Sequence, residues 1–196
     1  MRPTRTGPAP VSRPVLAAML ALVLAGCAGG DDVARYLVDP PAPDAQLPNR
    51  LGQAELRAVR LPEYAASQEI ARVDEDGVLR TSPANIWADA PERAVTQALA
   101  RQIGALSGAT VIAEPWPLQD LPARRLEVRI ERMIAQNDGR FRLSGQYFVV
   151  PVTAEGRDIL RRFDLTVPMT SQAFPDVAEA TARAIDALAR RIAALE

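Results

Sequence analysis

The 196-residue chain contains no histidine and no lysine, and its only cysteine is Cys27. Without histidine there is no Ser-His-Asp or Cys-His catalytic grouping, and a lone cysteine supplies neither an internal disulfide nor the Cys/His ligand sets of zinc sites. Acidic residues are plentiful, but they fall at strand-alternating or helix-face positions such as Glu127 and Glu131 or Glu179 and Asp186, where carboxylates are far more often solvated than catalytic. The expectation is therefore a protein that is not an enzyme, with no catalytic residues, no metal site and no cofactor. The complete absence of lysine beside abundant arginine, alanine and proline matches the codon usage of a GC-rich genome.

Long apolar runs are also missing. The longest, Val15 to Leu24, is ten residues, too short to cross a hydrocarbon core of roughly 30 Å as a helix. It follows Arg2, Arg5 and Arg13 and ends in Leu24-Ala25-Gly26-Cys27. A basic start, a short apolar stretch and small residues before a cleavage point make an export signal. The closing tetrapeptide is the bacterial lipobox, with Cys27 as the lipid attachment site and palmitate among the expected acyl groups. The lipid on Cys27 is the only non-protein group expected. Several acyl chains on one cysteine hold a protein stably where one holds it only marginally. Asp31 and Asp32 do not follow the cysteine directly, which favours the periplasmic side of the outer membrane.

The chain divides into a signal peptide, 1–26, a proline-rich segment, 27–50, and a folded periplasmic domain, 51–196. Removing the signal takes three arginines and leaves 20 basic against 24 acidic residues, a balance of −4. A mildly acidic surface argues against nucleic acid as a partner. Pro40, Pro41, Pro43 and Pro48 make the second segment an extended tether, with a short strand at Tyr36 to Val38. If about 20 residues are flexible, its reach is roughly 25 Å.

In the folded part, Leu56 to Leu61 reads as a strand closed by Pro62. Ile70–Val73 and Val78–Thr81 flank the hairpin signal Asp74-Glu75-Asp76-Gly77. A first helix follows Trp87, with Asp89 as cap, Pro91 in the first turn, an apolar stripe of Val95, Leu99, Ile103 and Leu106, and Gly108 as stop. The clearest strand carries Leu126, Val128 and Ile130 alternating with charge. Asn137-Asp138-Gly139 turns it back into Phe141, Leu143, Tyr147 and Val149, with Gly145 at an inward position that implies a bulge or a closely packed helix. Phe163, Leu165 and Val167 mark a third strand, and Val177, Thr181, Ile185, Leu188, Ile192 and Leu195 a final helix. The expected fold is α+β: an antiparallel sheet in the order strands, helix, strands, helix, with both helices on one face.

The lipobox, Tyr36-Leu37-Val38-Asp39-Pro40, Val59-Arg60-Leu61-Pro62-Glu63-Tyr64, Trp87-Ala88 before a helix, and the Asn137-Asp138-Gly139 turn with Leu143, Gly145 and Tyr147 occur in an order that resembles the ABC-type transport auxiliary lipoproteins, the family of paraquat-inducible protein C. The likeness runs over essentially the whole mature chain. It departs at Asp89-Ala90-Pro91, where the family often has Pro-Leu, and after Tyr64, where a leucine is usual. The resemblance implies a non-catalytic accessory lipoprotein of an ABC or related transporter that moves phospholipid or other lipid across the envelope. Its partner would be a periplasmic channel of the mammalian cell entry (MCE) type. Leu61, Pro62, Tyr64 and Trp87, in or near the loops that connect the early strands to the first helix, are the candidate contact residues; for Tyr64 and Trp87 the competing reading is half-buried packing over a sheet edge. Association with further copies of itself stays open. So does a different class of role, an outer-membrane structural or assembly lipoprotein serving an unrelated protein machine.

Overall fold

A computed structural model describes residues 33–195; the expected signal peptide and Cys27 lie outside the described residues. In chain order the strands are β1 (Ala34–Tyr36), β2 (Gln53–Leu56), β3 (Arg72–Val73), β4 (Leu79–Arg80), β5 (Asn85–Trp87), β6 (Thr110–Ala113), β7 (Arg124–Ala135), β8 (Arg140–Pro151) and β9 (Ile159–Pro168). The helices are α1 (Glu63–Ala66), α2 (Pro91–Ser107) and α3 (Phe174–Ala194).

The alternation in β7 places Leu126, Val128 and Ile130 in the core, none more than 5% exposed. Its register against β8 then shifts between Ile130 and Arg132. One extra residue, Glu131, is taken up there, and the inward side passes from even to odd positions at Met133 and Ala135. Gly145 stands opposite Ile130. A Cβ on it would lie 2.1 Å from the Arg129 carbonyl oxygen, so the close approach excludes every other residue. Gly139, with φ +78°, supplies the left-handed residue of the β7–β8 turn. Phe141, Leu143, Tyr147 and Val149 of β8 and Phe163 of β9 extend the same buried face.

The expected antiparallel sheet needs correction, because the seven-stranded sheet is mixed. β7, β8 and β9 form an antiparallel meander, and β3 and β4 an antiparallel hairpin. However, β2 runs parallel to both β6 and β7, and β3 runs parallel to β7. The reason is the connection: the chain returns from β2 to β6 through α2, and such crossovers join parallel strands. β1 and β5 make a separate two-stranded parallel pair. The strand expected at Leu56 to Leu61 ends at Leu56, and the short α1 adds a helix to the expected order.

The helices lie on one face. Val95, Leu99, Ile103 and Leu106 of α2 and Val177, Thr181, Ile185, Leu188 and Ile192 of α3 are at most 1% exposed. Each fully buried leucine or isoleucine contributes about 1.5–3 kcal/mol. Ala180, Ala184, Ala189 and Ala193 are also buried, and their small side chains let α3 pack closely against its neighbours. Gly108, at φ +67°, ends α2 as expected, its N–H donating to the Gly104 carbonyl. The expected cap is displaced: Ala90 is the capping position and makes no side-chain hydrogen bond. Asp89, one residue earlier, accepts from the Ala90 N–H and pairs with Arg93, which holds its carboxyl below the usual range.

The proline-rich segment also differs from expectation where it is described, at 33–50. It lies as a strap over the helices instead of hanging free. Val38 is buried, the Pro41 carbonyl accepts from Gln102 at 2.9 Å, Asp44 pairs with Arg190 at 2.7 Å, and the Leu47 N–H donates to Leu106 at 2.7 Å. Proline favours this course: it cannot donate to a sheet ladder, but its carbonyl still accepts.

Gly145→Ala should lower unfolding free energy by about 3 kcal/mol through overpacking. Gly77→Ala, which meets open space at φ +79°, should cost about 1–2 kcal/mol through its left-handed backbone alone. Urea unfolding ranks them; the reverse ranking would contradict the close approach at Gly145.

Candidate functional site

Because the helices cover one face of the sheet, alternation turns the other outward. Arg125, Glu127, Arg129 and Arg132 of β7 stand beside Val150, Phe148, Gln146 and Ser144 of β8, and Phe148, Gln146 and Ser144 beside Leu160, Arg162 and Asp164 of β9. These three strands carry eight arginines and three acids in a chain of net charge −1. Several guanidiniums are pinned: Arg125 to Glu55 at 3.2 Å, Arg129 to Glu127 at 2.7 Å, and Arg142 to Asp164. The Arg142 hydrogen bond holds the Asp164 carboxyl below the usual range. Arg129 also stacks over the Phe148 ring at 5.0 Å, an arrangement favourable to both. Leu160, 52% exposed, and Val150, 36% exposed, add apolar contact.

At the β2 end the chain leaves β7 and comes back. The Arg57 N–H donates to Leu126, the Arg60 N–H to Val128, and the Ile130 N–H to Arg60. The excursion leaves an open concavity of about 450 Å³ bordered by Arg57, Arg60, Glu92, Glu114, Arg125 and Glu127. Arg57 pairs with Glu114 at 2.7 Å, and Glu114 accepts from the Ala58 N–H at 2.8 Å. Among the described residues no group of His, Cys, Asp and Glu is arranged to hold a metal ion. What this surface offers chemically is fixed guanidinium donors with apolar and aromatic contact, the composition of a binding face.

Beyond Arg60 come the four residues expected to touch a partner, and the structure brings them together. Leu61 and Pro62 are half-buried and lead into α1. Tyr64 is half-buried, and its hydroxyl accepts from the Met133 N–H at 3.2 Å, two residues past the bulge of β7. Trp87 is 4% exposed and shares with Tyr64, Ile70, Met133 and Phe141 the lining of a void of only about 10 Å³. Trp87 is therefore placed in the core, as the packing reading had it, and not among the contact residues; it borders the same small void as Tyr64 of α1. The arginines of the open face escaped sequence reasoning because alternating charge on a strand reads equally well as plain solvated surface. The excess of arginine over acid from 124 to 162 was the available signal.

Trp87→Ala should lower stability by about 3–5 kcal/mol and Tyr64→Phe by about 1 kcal/mol, both read from denaturant midpoints. An unchanged midpoint for Trp87→Ala would return that ring to the surface.

The model of a family described as the ABC-type transport auxiliary lipoprotein component matches residues 36–193. No curated protein sequence matches. The fold is similar to protein XCC0632 from Xanthomonas campestris, assigned to the family model DUF330, at 14% identity and TM-score 0.63, covering 83% of this chain and 94% of that one. A second crystal structure, of an uncharacterized protein, is 18% identical with TM-score 0.61 over 76% of this chain and 95% of that one.

Proposed function

The chain belongs to the ABC-type transport auxiliary lipoprotein components, and from that premise we propose that it is the non-catalytic, lipid-anchored accessory of an MCE-type system moving phospholipid or other lipid across the envelope. The observation that carries the reading is the family match, which spans almost all of the described body. The lipobox at Leu24 to Cys27 supports attachment through Cys27 at the periplasmic side of the outer membrane, with residues 1–26 removed and no cofactor beyond that lipid. The role is docking and positioning. Leu61, Pro62 and Tyr64, which follow Arg60 of the concavity in the chain, are the proposed contact with the channel partner; with Trp87 in the core, they are the part of the expected set that a partner can reach.

The expected outcome is that Leu61→Ala combined with Glu63→Arg weakens capture of the purified MCE channel protein about tenfold or more, as loss of an anchoring contact does. Its melting midpoint should fall by a few degrees only while the fold is kept, since Glu63 is exposed and Leu61 is half-buried against the core. Full-strength capture by the folded variant would exclude this segment as the interface, and failure of the wild-type chain to bind any MCE protein would exclude the reading itself.

A further inference from the structure

Val33, the first described residue, follows Cys27 by six positions, a distance that extended chain spans in at most about 20 Å. If the proposed lipid sits on Cys27, the bilayer surface therefore lies close to β1. The strand presents an unusual pair there. Leu37, directly after β1, is 69% exposed, the most exposed large apolar side chain among the described residues. Arg35, two positions earlier and so on the same side of the extended chain, is exposed and has no ion-paired carboxylate among the described residues.

Leu37 is not free to turn inward. Its neighbour Val38 occupies the core, and the Tyr36 hydroxyl is tied to the Asn85 side chain at 3.0 Å. Leu37 forms one lip of a groove of about 290 Å³ whose other wall is Ala178 and Ala182 of α3. Asp39, Glu179 and Arg183 also line the groove; Arg183 donates to the Pro168 carbonyl at 2.8 Å, and its Nε stands 3.7 Å from the Glu179 carboxylate.

We propose that this surface is a foot on the bilayer: Leu37 enters the acyl boundary, while Arg35 meets a lipid phosphate, as long basic side chains do at an interface. The inference rests on lipidation of Cys27 and names what touches the membrane besides the anchor. It also orients the body. The strap lies over the helices and the helices over the sheet, so the open arginine-bearing face of β7 to β9 points away from the bilayer.

Because lipidation occupies the only native cysteine, Leu37→Cys and Leu160→Cys each carry a single free thiol in the full-length mature lipoprotein. Each is nitroxide-labelled in vesicles of phosphatidylethanolamine and phosphatidylglycerol, and its relaxation by oxygen is compared with that by a water-soluble nickel chelate. The expected oxygen-to-nickel ratio is severalfold higher at position 37 than at position 160. Equal ratios in protein that floats with the vesicles would overturn the foot while leaving the anchor intact. Spin–spin broadening confined to position 37 would overturn it in favour of a second copy in the groove. Protein that fails to float, with wild type and Cys27→Ala alike taking up no labelled palmitate, would remove the anchor and this inference with it.

Discussion

The structure depends on how closely β7 and β8 approach where the Arg129 carbonyl meets Gly145. Absence of a side chain at that one point lets β7 absorb Glu131 and exchange its inward and outward sides without leaving β8. A straight strand of twelve residues would keep one set of side chains inward along its whole length. The bulged one presents Leu126, Val128 and Ile130 to the helices in its first half and Met133 and Ala135 in its second. It also brings the Met133 N–H to the Tyr64 hydroxyl, so α1 is positioned from the same irregularity. One edge of β7 thereby serves two partners in succession, β2 before the bulge and β3 after it.

A second constraint acts from the N-terminal side. Residues 33–50 cross the helices and are held by backbone and side-chain contacts to α2 and α3. Asp44 lies well exposed and its pairing with Arg190 lowers its carboxyl pKa, yet exposed pairs of this kind add little to stability. Burial of Val38 and Leu51 and the hydrogen bonds of Ala34 and Leu47 hold the strap more firmly. For the proposed anchor at Cys27, the consequence is a shorter leash than a free segment of 27–50 would give.

Much of this was legible in the residues. The β7–β8 hairpin, the Asn137-Asp138-Gly139 turn, the Asp74 to Gly77 turn, both long helices and the special place of Gly145 follow from local periodicity and local backbone needs. The parallel pairings did not, because they depend on which distant strands a crossover brings together. β6 was passed over although Thr110, Val111 and Ile112 follow the helix stop at Gly108, since four residues are too few for alternation to register. The strap was read as a tether because proline content reports extended backbone but not what the backbone lies against. Trp87 stayed open between partner contact and packing because a large ring beside turns reads the same whether it faces out or in; only its burial in three dimensions decides.

Together these features describe the body of an auxiliary lipoprotein component whose strap is held against the helices and whose sheet carries an open, arginine-bearing face. The central claim is that the strap is part of the fold. Native-state hydrogen exchange over 33–50 tests it most directly. The amides of Ala34 and Leu47, bonded to the carbonyls of Ala84 and Leu106 at 2.8 and 2.7 Å, should be protected to a degree approaching that of α2, with the intervening exposed amide of Asp39 exchanging faster. Exchange of Ala34 and Leu47 at free-chain rates would contradict it and restore the flexible tether.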